Sequence, residues 1–202
     1  MSLDISNIVA SRICHDIISP IGAIHNGLEL ISMTASLDVK SPEMALIHDS
    51  CQDASARIEF FRVAFGTYQT GQLMDAPKVQ GIANAIYTTP RFDLRWHLES
   101  AIDRTWAQVI YMGLMCVERQ LTLGGTITVA ADADRIRIRI TATSERPTVA
   151  HPGWERLSSD LKELPAPADV QFHLLTNIAG AYGFAVEFNH RETITTLTFR
   201  RG

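Results

Sequence analysis

A short run near the start of the chain places a nucleophile beside a carboxylate. His15 is followed directly by Asp16, and Ser19 and Pro20 complete the pattern His-Asp-x-x-Ser-Pro. An imidazole nitrogen is a nucleophile near neutral pH, and a neighbouring carboxylate can hold the ring in one tautomer. The run therefore predicts nucleophilic chemistry at His15, with Asp16 orienting the ring. The alternatives are a solvated His15 and a plain exposed acid at Asp16.

The helix that must position His15 is predicted by the apolar residues around it. His15 lies about 200° from Ile13 around a helix, so it points away from the apolar side toward water. The apolar side is formed by residues spaced three or four apart, namely Ile13, Ile17, Ile21, Ile24, Leu28 and Ile31. The exposed stripe on the other side consists of Arg12, His15, Ser19, Gly22 and Asn26.

The run from His15 to Pro20 resembles the phosphoacceptor box of bacterial two-component signalling. With Ala23-Ile24 and Asn26-Gly27-Leu28-Glu29-Leu30 after it, the run is most similar to the ChpT-type histidine phosphotransferases. In those proteins the His of this motif carries a phosphoryl group between receiver domains. The resemblance implies that His15 is the phosphoacceptor, and that response-regulator receiver domains are both donor and acceptor. It also implies that Mg²⁺ comes with the receiver, and that this chain binds no cofactor or metal.

The neighbours of His15 are then candidates for contact with a docked receiver. Ser19 and Asn26 have side chains that can hydrogen-bond a partner, and Gly22 leaves room for one to approach. Arg12 either meets the phosphate or an acid of the receiver, or is solvated. Ile18 and Ile21 flank the stripe, and they are either apolar contacts for the receiver or part of the core.

A second helix follows, and the two helices predict a hairpin over residues 1–70. Ser41-Pro42-Glu43 is a strong helix start, with Ser as N-cap and Pro at the first helical position. Apolar residues then recur at gaps of three and four from Met44 to Tyr68. Since one hairpin cannot bury two wide apolar faces alone, we expect a homodimeric four-helix bundle. The alternative is a larger monomer whose second domain covers the open face.

The second half of the chain predicts an α+β domain over residues 91–202, joined to the hairpin by a connection at 71–90. Mostly antiparallel strands with helices on one face of the sheet are typical of this order of elements. We expect strands at 91–96, 126–131, 135–141, 185–189 and 193–200, and helices at 78–86, 98–121, 154–164 and 170–182. The order resembles the Bergerat-type ATP-binding domain of histidine kinases, with matches at 108–110, 124–129 and 174–183.

The resemblance to the kinase domain lacks the residues that hold ATP. The Mg²⁺-binding asparagines of the family fall at Met112 and Cys116, whose side chains offer no oxygen ligand. The Asp-x-Gly-x-Gly motif is missing after the second strand, and Gly153 is the one glycine between residues 126 and 179. A phosphate cradle commonly needs several glycines. We therefore expect a degenerate ATPase-like α/β sandwich that does not use ATP directly.

Composition limits the other classes of partner. A net charge of −4 gives no reason to expect nucleic acid. We expect no membrane association, since there is no run of 18 apolar residues and no leader-like start. Three widely spaced cysteines are typical of reduced thiols in a cytoplasmic protein.

Four functions remain to be separated. The favoured one is a histidine phosphotransferase that relays a phosphoryl group between receiver aspartates through phosphohistidine at His15. A histidine kinase with a diverged nucleotide site would bind ATP. A non-catalytic receiver-binding dimer, or a receiver phosphatase, would tolerate replacement of His15. A plain helical dimerisation module would leave the His-Asp-x-x-Ser-Pro run unexplained.

Overall fold

The computed structural model describes residues 2–34, 41–67, 71–132, 136–157 and 163–202. Two helices come first and a mixture of strands and helices follows, as expected for a hairpin followed by a mixed domain. The helices are α1 (Ser2–Thr34), α2 (Pro42–Ala64), α3 (Ala76–Tyr87), α4 (Arg104–Gln120) and α5 (Val170–Ala181). The strands are β1 (Leu73–Met74), β2 (Phe92–Trp96), β3 (Ile102–Asp103), β4 (Gly125–Ala131), β5 (Arg137–Thr143), β6 (Phe184–Arg191) and β7 (Ile194–Arg201).

The two hairpin helices form close to where the sequence predicts them. The predicted cap of α2 is confirmed, because the Ser41 hydroxyl accepts a hydrogen bond of 3.3 Å from the Met44 N–H. Helix α1 begins at Ser2 and runs to Thr34. The predicted extension of the second helix to Tyr68 is wrong, because α2 ends at Ala64 with Phe65 as its C-cap; Tyr68 itself lies outside the described residues. Over the described part of the chain, no helix combines the length and hydropathy that crossing a bilayer requires.

The predicted α+β arrangement, with helices on one face of a sheet, is confirmed. Five strands run in the order β2-β4-β5-β7-β6, and only the β2–β4 pair is parallel. In β5, Ile138 and Ile140 are buried, while Arg137 before them and Arg139 between them are exposed. This alternation leaves one face of the sheet to solvent, and the other packs against α4 and α5.

Three element boundaries differ from the prediction. The helix expected over 98–121 begins only at Arg104, because β3 just before it pairs with β1 and holds the chain extended. The strand expected from residue 135 begins at Arg137, and residues 133–135 are outside the described part of the chain. The helix expected over 154–164 is a 3-10 turn over Pro152–Leu157, and residues 158–162 are not among those described.

One hydrophobic core joins the hairpin to the second half of the chain. Phe60 of α2 stacks on Tyr111 of α4, with ring centroids 4.5 Å apart and planes within 4° of parallel. Helix α3, inside the predicted connection at 71–90, adds Val79 and Tyr87 to the same buried cluster. The division into 1–70, 71–90 and 91–202 stays a prediction, but its three parts share this core.

Polar side chains of α4 also hold the end of α2. The two terminal guanidinium nitrogens of Arg104 donate to the carbonyls of Arg62 and Val63, each at 2.7 Å. The Gln108 amide donates to the carbonyl of Ala64 at 2.9 Å. These are the last three residues of α2, whose carbonyls have no partner within their own helix. The first turns of α4 therefore cap the hairpin.

Candidate functional site

His15 stands on the outer side of α1, as the helical periodicity predicts. Its side chain is 87% exposed, and its Nδ1 lies 3.1 Å from Oδ1 of Asp16. An ionised carboxylate can only accept a hydrogen bond, so this contact favours the tautomer with the proton on Nδ1. Nε2 then carries the lone pair, and the ring is open to an approaching partner.

Asp16 is held from its other side by Arg12. Its side chain is only 13% exposed, and Oδ2 accepts a hydrogen bond of 2.8 Å from Nε of Arg12. The two carboxylate oxygens of Asp16 thus face two different partners one turn apart on α1. This arrangement fixes the carboxylate beside His15 rather than leaving it as a solvated acid.

Arg12 does not lie on the exposed stripe where the sequence places it. Its side chain is 12% exposed, and Nη1 donates a hydrogen bond of 2.8 Å to the carbonyl of Ala168. The stripe prediction is wrong for this residue because the second domain packs against that side of α1. Ala168 belongs to a 3-10 turn, Pro167–Asp169, that leads into α5.

The other residues predicted to meet a receiver are exposed. Ser19, Gly22 and Asn26 lie on the same outer side of α1 as His15. A Cβ built at Gly22 would touch nothing, so no packing within the described residues requires glycine there. Ile18 and Ile21 are 67% and 53% exposed, so the alternative that they belong to the core is wrong for this chain. Their contact with a receiver stays a prediction.

A small polar cavity lies behind Asp16, and the sequence pattern does not predict it. It measures about 90 Å³, and Arg12, Asp16, Tyr87 and Glu118 are among the residues that line it. The Tyr87 hydroxyl donates to a Glu118 carboxylate oxygen at 3.2 Å. Burial, with the Glu118 charge, raises the pKa of Tyr87 well above its ordinary value, so the hydroxyl keeps its proton. Glu118, which is partly buried, is thus tied to the core through Tyr87.

The two positions that match the kinase asparagines are inside the core. Met112 and Cys116 have no exposed surface, and burial raises the pKa of the Cys116 thiol. Met112 and Cys116 therefore pack in the interior, where neither lines an opening. Within the described residues, no group of three or more His, Cys, Asp or Glu side chains could hold a metal ion.

Comparison with known proteins places the chain in a family. Protein phosphotransferase ChpT from Brucella abortus (strain 2308) is 41% identical over 96 residues, which are 47% of this chain. The match spans 44% of that relative, less than half of its length. A bacterial phosphotransferase of known structure superposes with a TM-score of 0.82 at 26% identity, over 99% of this chain and 97% of the other.

A family model gives the more specific result. The model of the histidine phosphotransferase C-terminal domain matches residues 76–194, from the start of α3 to the start of β7. The match covers more than half of the chain and includes the turn that accepts the hydrogen bond from Arg12. This chain therefore belongs to the histidine phosphotransferase family defined by that C-terminal domain.

Proposed function

We propose that this chain is a phosphorelay intermediate that carries a phosphoryl group on Nε2 of His15 between receiver domains. The observation that supports this most directly is an exposed imidazole whose other nitrogen, Nδ1, faces the mostly buried carboxylate of Asp16. A nucleophile must be accessible and in the correct tautomer, and this pair meets both conditions. The donor and the acceptor are receiver aspartates.

The transfer needs positioning more than it needs acid or base chemistry. The Nε2 lone pair attacks the phosphorus of a receiver's aspartyl phosphate in line, and the bond between phosphorus and the aspartyl oxygen breaks. The leaving carboxylate stays on the receiver. The ring becomes positively charged while Nδ1 keeps its proton, and the Asp16 carboxylate stabilises that charge. The second transfer reverses these steps on another receiver, and the receivers supply Mg²⁺.

Direct use of ATP is not part of the proposal. The positions where a kinase would carry Mg²⁺-binding asparagines are occupied by Met112 and Cys116, which are buried in the core. The chain after β5 reads Ser144-Glu145-Arg146-Pro147, where a kinase domain would present glycine-rich backbone to the nucleotide. The three cysteines form no disulfide, which supports a cytoplasmic setting for the relay.

We further propose that two copies assemble through the hairpin. Leu28, Leu46 and Ile58 are exposed apolar side chains on α1 and α2, and Leu28 and Ile58 have the spacing of the predicted apolar faces. The second domain packs against Arg12 near one end of the hairpin and leaves these side chains uncovered. A second hairpin would bury them in a four-helix bundle with one His15 site from each copy.

The test is a transfer assay with labelled phosphate on the full chain. Wild type, His15→Gln and His25→Gln are incubated with phosphorylated receiver domains, and separately with labelled ATP and Mg²⁺. His25 is the matched control, because it is another exposed histidine on α1. Acid-labile, base-stable label from receivers on wild type and on His25→Gln, and none on His15→Gln, is the expected result.

The other results each select a different function. Label arriving directly from ATP would make the protein a histidine kinase. If His15→Gln still binds receivers and the wild-type chain accepts no label, the protein is a non-catalytic scaffold. Loss of label from the receiver, with release of inorganic phosphate and no labelled chain, would indicate a receiver phosphatase.

A further inference from the structure

We infer that Arg12 is a positioning residue through which the second domain sets the tautomer of His15. The inference rests on the proposed function for its importance, but the geometry that carries it stands on its own. The side chain of Arg12 is mostly buried, and it donates to Asp16 and to the carbonyl of Ala168. It acts through Asp16, one helical turn further along α1.

The contacts form an unbroken series from the second domain to the imidazole. The carbonyl of Ala168 accepts from Nη1 of Arg12 at 2.8 Å, and Nε of Arg12 donates to Oδ2 of Asp16 at 2.8 Å. Oδ1 of Asp16 then accepts from Nδ1 of His15 at 3.1 Å. Because the side chains of Arg12 and Asp16 are each nearly nine-tenths buried, water competes weakly for the contact between them.

The acceptor at the start of this series is itself held firmly. The Gln171 amide donates to the same Ala168 carbonyl at 2.9 Å, and Gln171 is fully buried. The neighbouring Asp169 pairs with Arg119 of α4, at 3.0 Å from its Nε. The turn over Pro167–Asp169 is therefore anchored to both α4 and α5, so its carbonyl is a fixed point for Arg12.

Arginine suits this position because of its shape as well as its charge. Nε and Nη1 lie in one rigid plane and donate in different directions, so a single side chain can hold Asp16 and Ala168 at once. Lysine has one nitrogen on a flexible stem and would hold the two acceptors less rigidly. We therefore expect arginine to hold Asp16 better than lysine does at this position, a difference that a purely electrostatic role would not require.

The tautomer can be measured on the unphosphorylated chain, independently of any transfer. Long-range proton–nitrogen correlation spectra distinguish a protonated from an unprotonated ring nitrogen in a nitrogen-15-labelled sample. We expect His15 to be protonated mainly at Nδ1 in the wild type, the reverse of the preference of free imidazole side chains. Arg12→Gln and Arg12→Lys should lower the Nδ1–H share, with the larger loss in Arg12→Gln.

Two further variants separate the links in the series. Asp169→Ala removes the pair with Arg119 and loosens the turn without touching α1, so it should shift the tautomer in the same direction by a smaller amount. Arg95→Gln is the control, since Arg95 forms a comparable ion pair, with Asp93 at 2.9 Å, on the exposed side of β2 in the second domain. Arg95→Gln should leave both the tautomer and the transfer rate unchanged.

The outcomes test the inference separately from the proposed function. A tautomer unchanged in Arg12→Gln but altered in Asp16→Asn would overturn it, since Asp16 would then hold His15 without help. A shift in Arg12→Gln with none in Asp169→Ala would overturn the link to the second domain. If the tautomer shifts as expected and no variant accepts label from receivers, the positioning role stands and the proposed function fails. With the function intact, Arg12→Gln should slow transfer about tenfold, the effect of one lost charge-assisted hydrogen bond.

Discussion

Replacing Arg104 with methionine should loosen the joint between the hairpin and the second domain. Arg104 is only 7% exposed, and its two terminal nitrogens each donate at 2.7 Å to the last-turn carbonyls of Arg62 and Val63. Methionine keeps most of the apolar stem that packs in the core but removes both donors. The carbonyls at the end of α2 would then lose the partners that α4 supplies.

The size of the effect follows from those two hydrogen bonds. A hydrogen bond to a charged group contributes about 1.5–3 kcal/mol, so two such bonds set an upper range of about 3–6 kcal/mol. Removing the guanidinium also removes the cost of burying its charge, which offsets part of the loss. We expect the free energy of unfolding to fall by about 3 kcal/mol. For a chain of this length, that corresponds to a Tm lower by about 6–12 °C.

Urea unfolding at one fixed protein concentration measures this change, because the stability of a dimer depends on concentration. Arg104→Met should lower the midpoint without changing the slope with denaturant. Arg62→Met is the control, since that side chain is 70% exposed and its pair with Glu59 is a surface ion pair. The control should change stability by about 0.5 kcal/mol or less. An Arg104→Met effect no larger than that would mean that packing alone holds the joint.

Three further perturbations test other parts of the structure. Asp16→Asn should slow receiver-to-His15 transfer about tenfold in a single-turnover assay with circular dichroism unchanged, and an unchanged rate would remove Asp16 from the site. Leu28→Glu should convert a dimer to a monomer in sedimentation equilibrium, and a persistent dimer would place the interface elsewhere. Burial lowers the pKa of His151, and its Nδ1 accepts from the Gly153 N–H, so its neutral form is favoured in the folded chain. Its contribution to stability is therefore present above the unfolded pKa of about 6.5 and is lost as pH falls below it, and His151→Gln should flatten that pH dependence.

Elements with strong periodicity could be predicted from the sequence. The apolar residues of α1 are spaced three and four apart. Helix α2 has the same spacing and also a Ser-Pro-Glu start, so local sequence patterns predict both helices. Strand β5 alternates buried side chains with more exposed ones along its length, and this pattern can be read from the strand by itself. The placement of His15 on the outer side of α1, next to Asp16, follows from the same helical periodicity.

The surroundings of the site could not be predicted, because they depend on contacts far apart in the chain. The partner of Arg12 is a backbone carbonyl 156 residues away, and a carbonyl leaves no trace in the residue type of Ala168. Periodicity placed Arg12 on the exposed stripe because it treats α1 as an isolated helix. The contact between Glu118 and Tyr87 is hidden from periodicity for the same reason, since Tyr87 comes from another helix.

Helix α4 has two kinds of position: those that match the kinase asparagines, and those whose polar side chains face the hairpin. The positions that would carry nucleotide chemistry in a kinase, Met112 and Cys116, face the interior. Other side chains of the same helix reach toward the hairpin: Arg104 and Gln108 cap α2, and Glu118 lines the cavity behind Asp16. In the proposed relay, a helix whose polar residues are directed at the hairpin is suited to holding the phosphoacceptor in place. That arrangement would give the second domain a role at His15 that requires no bound nucleotide.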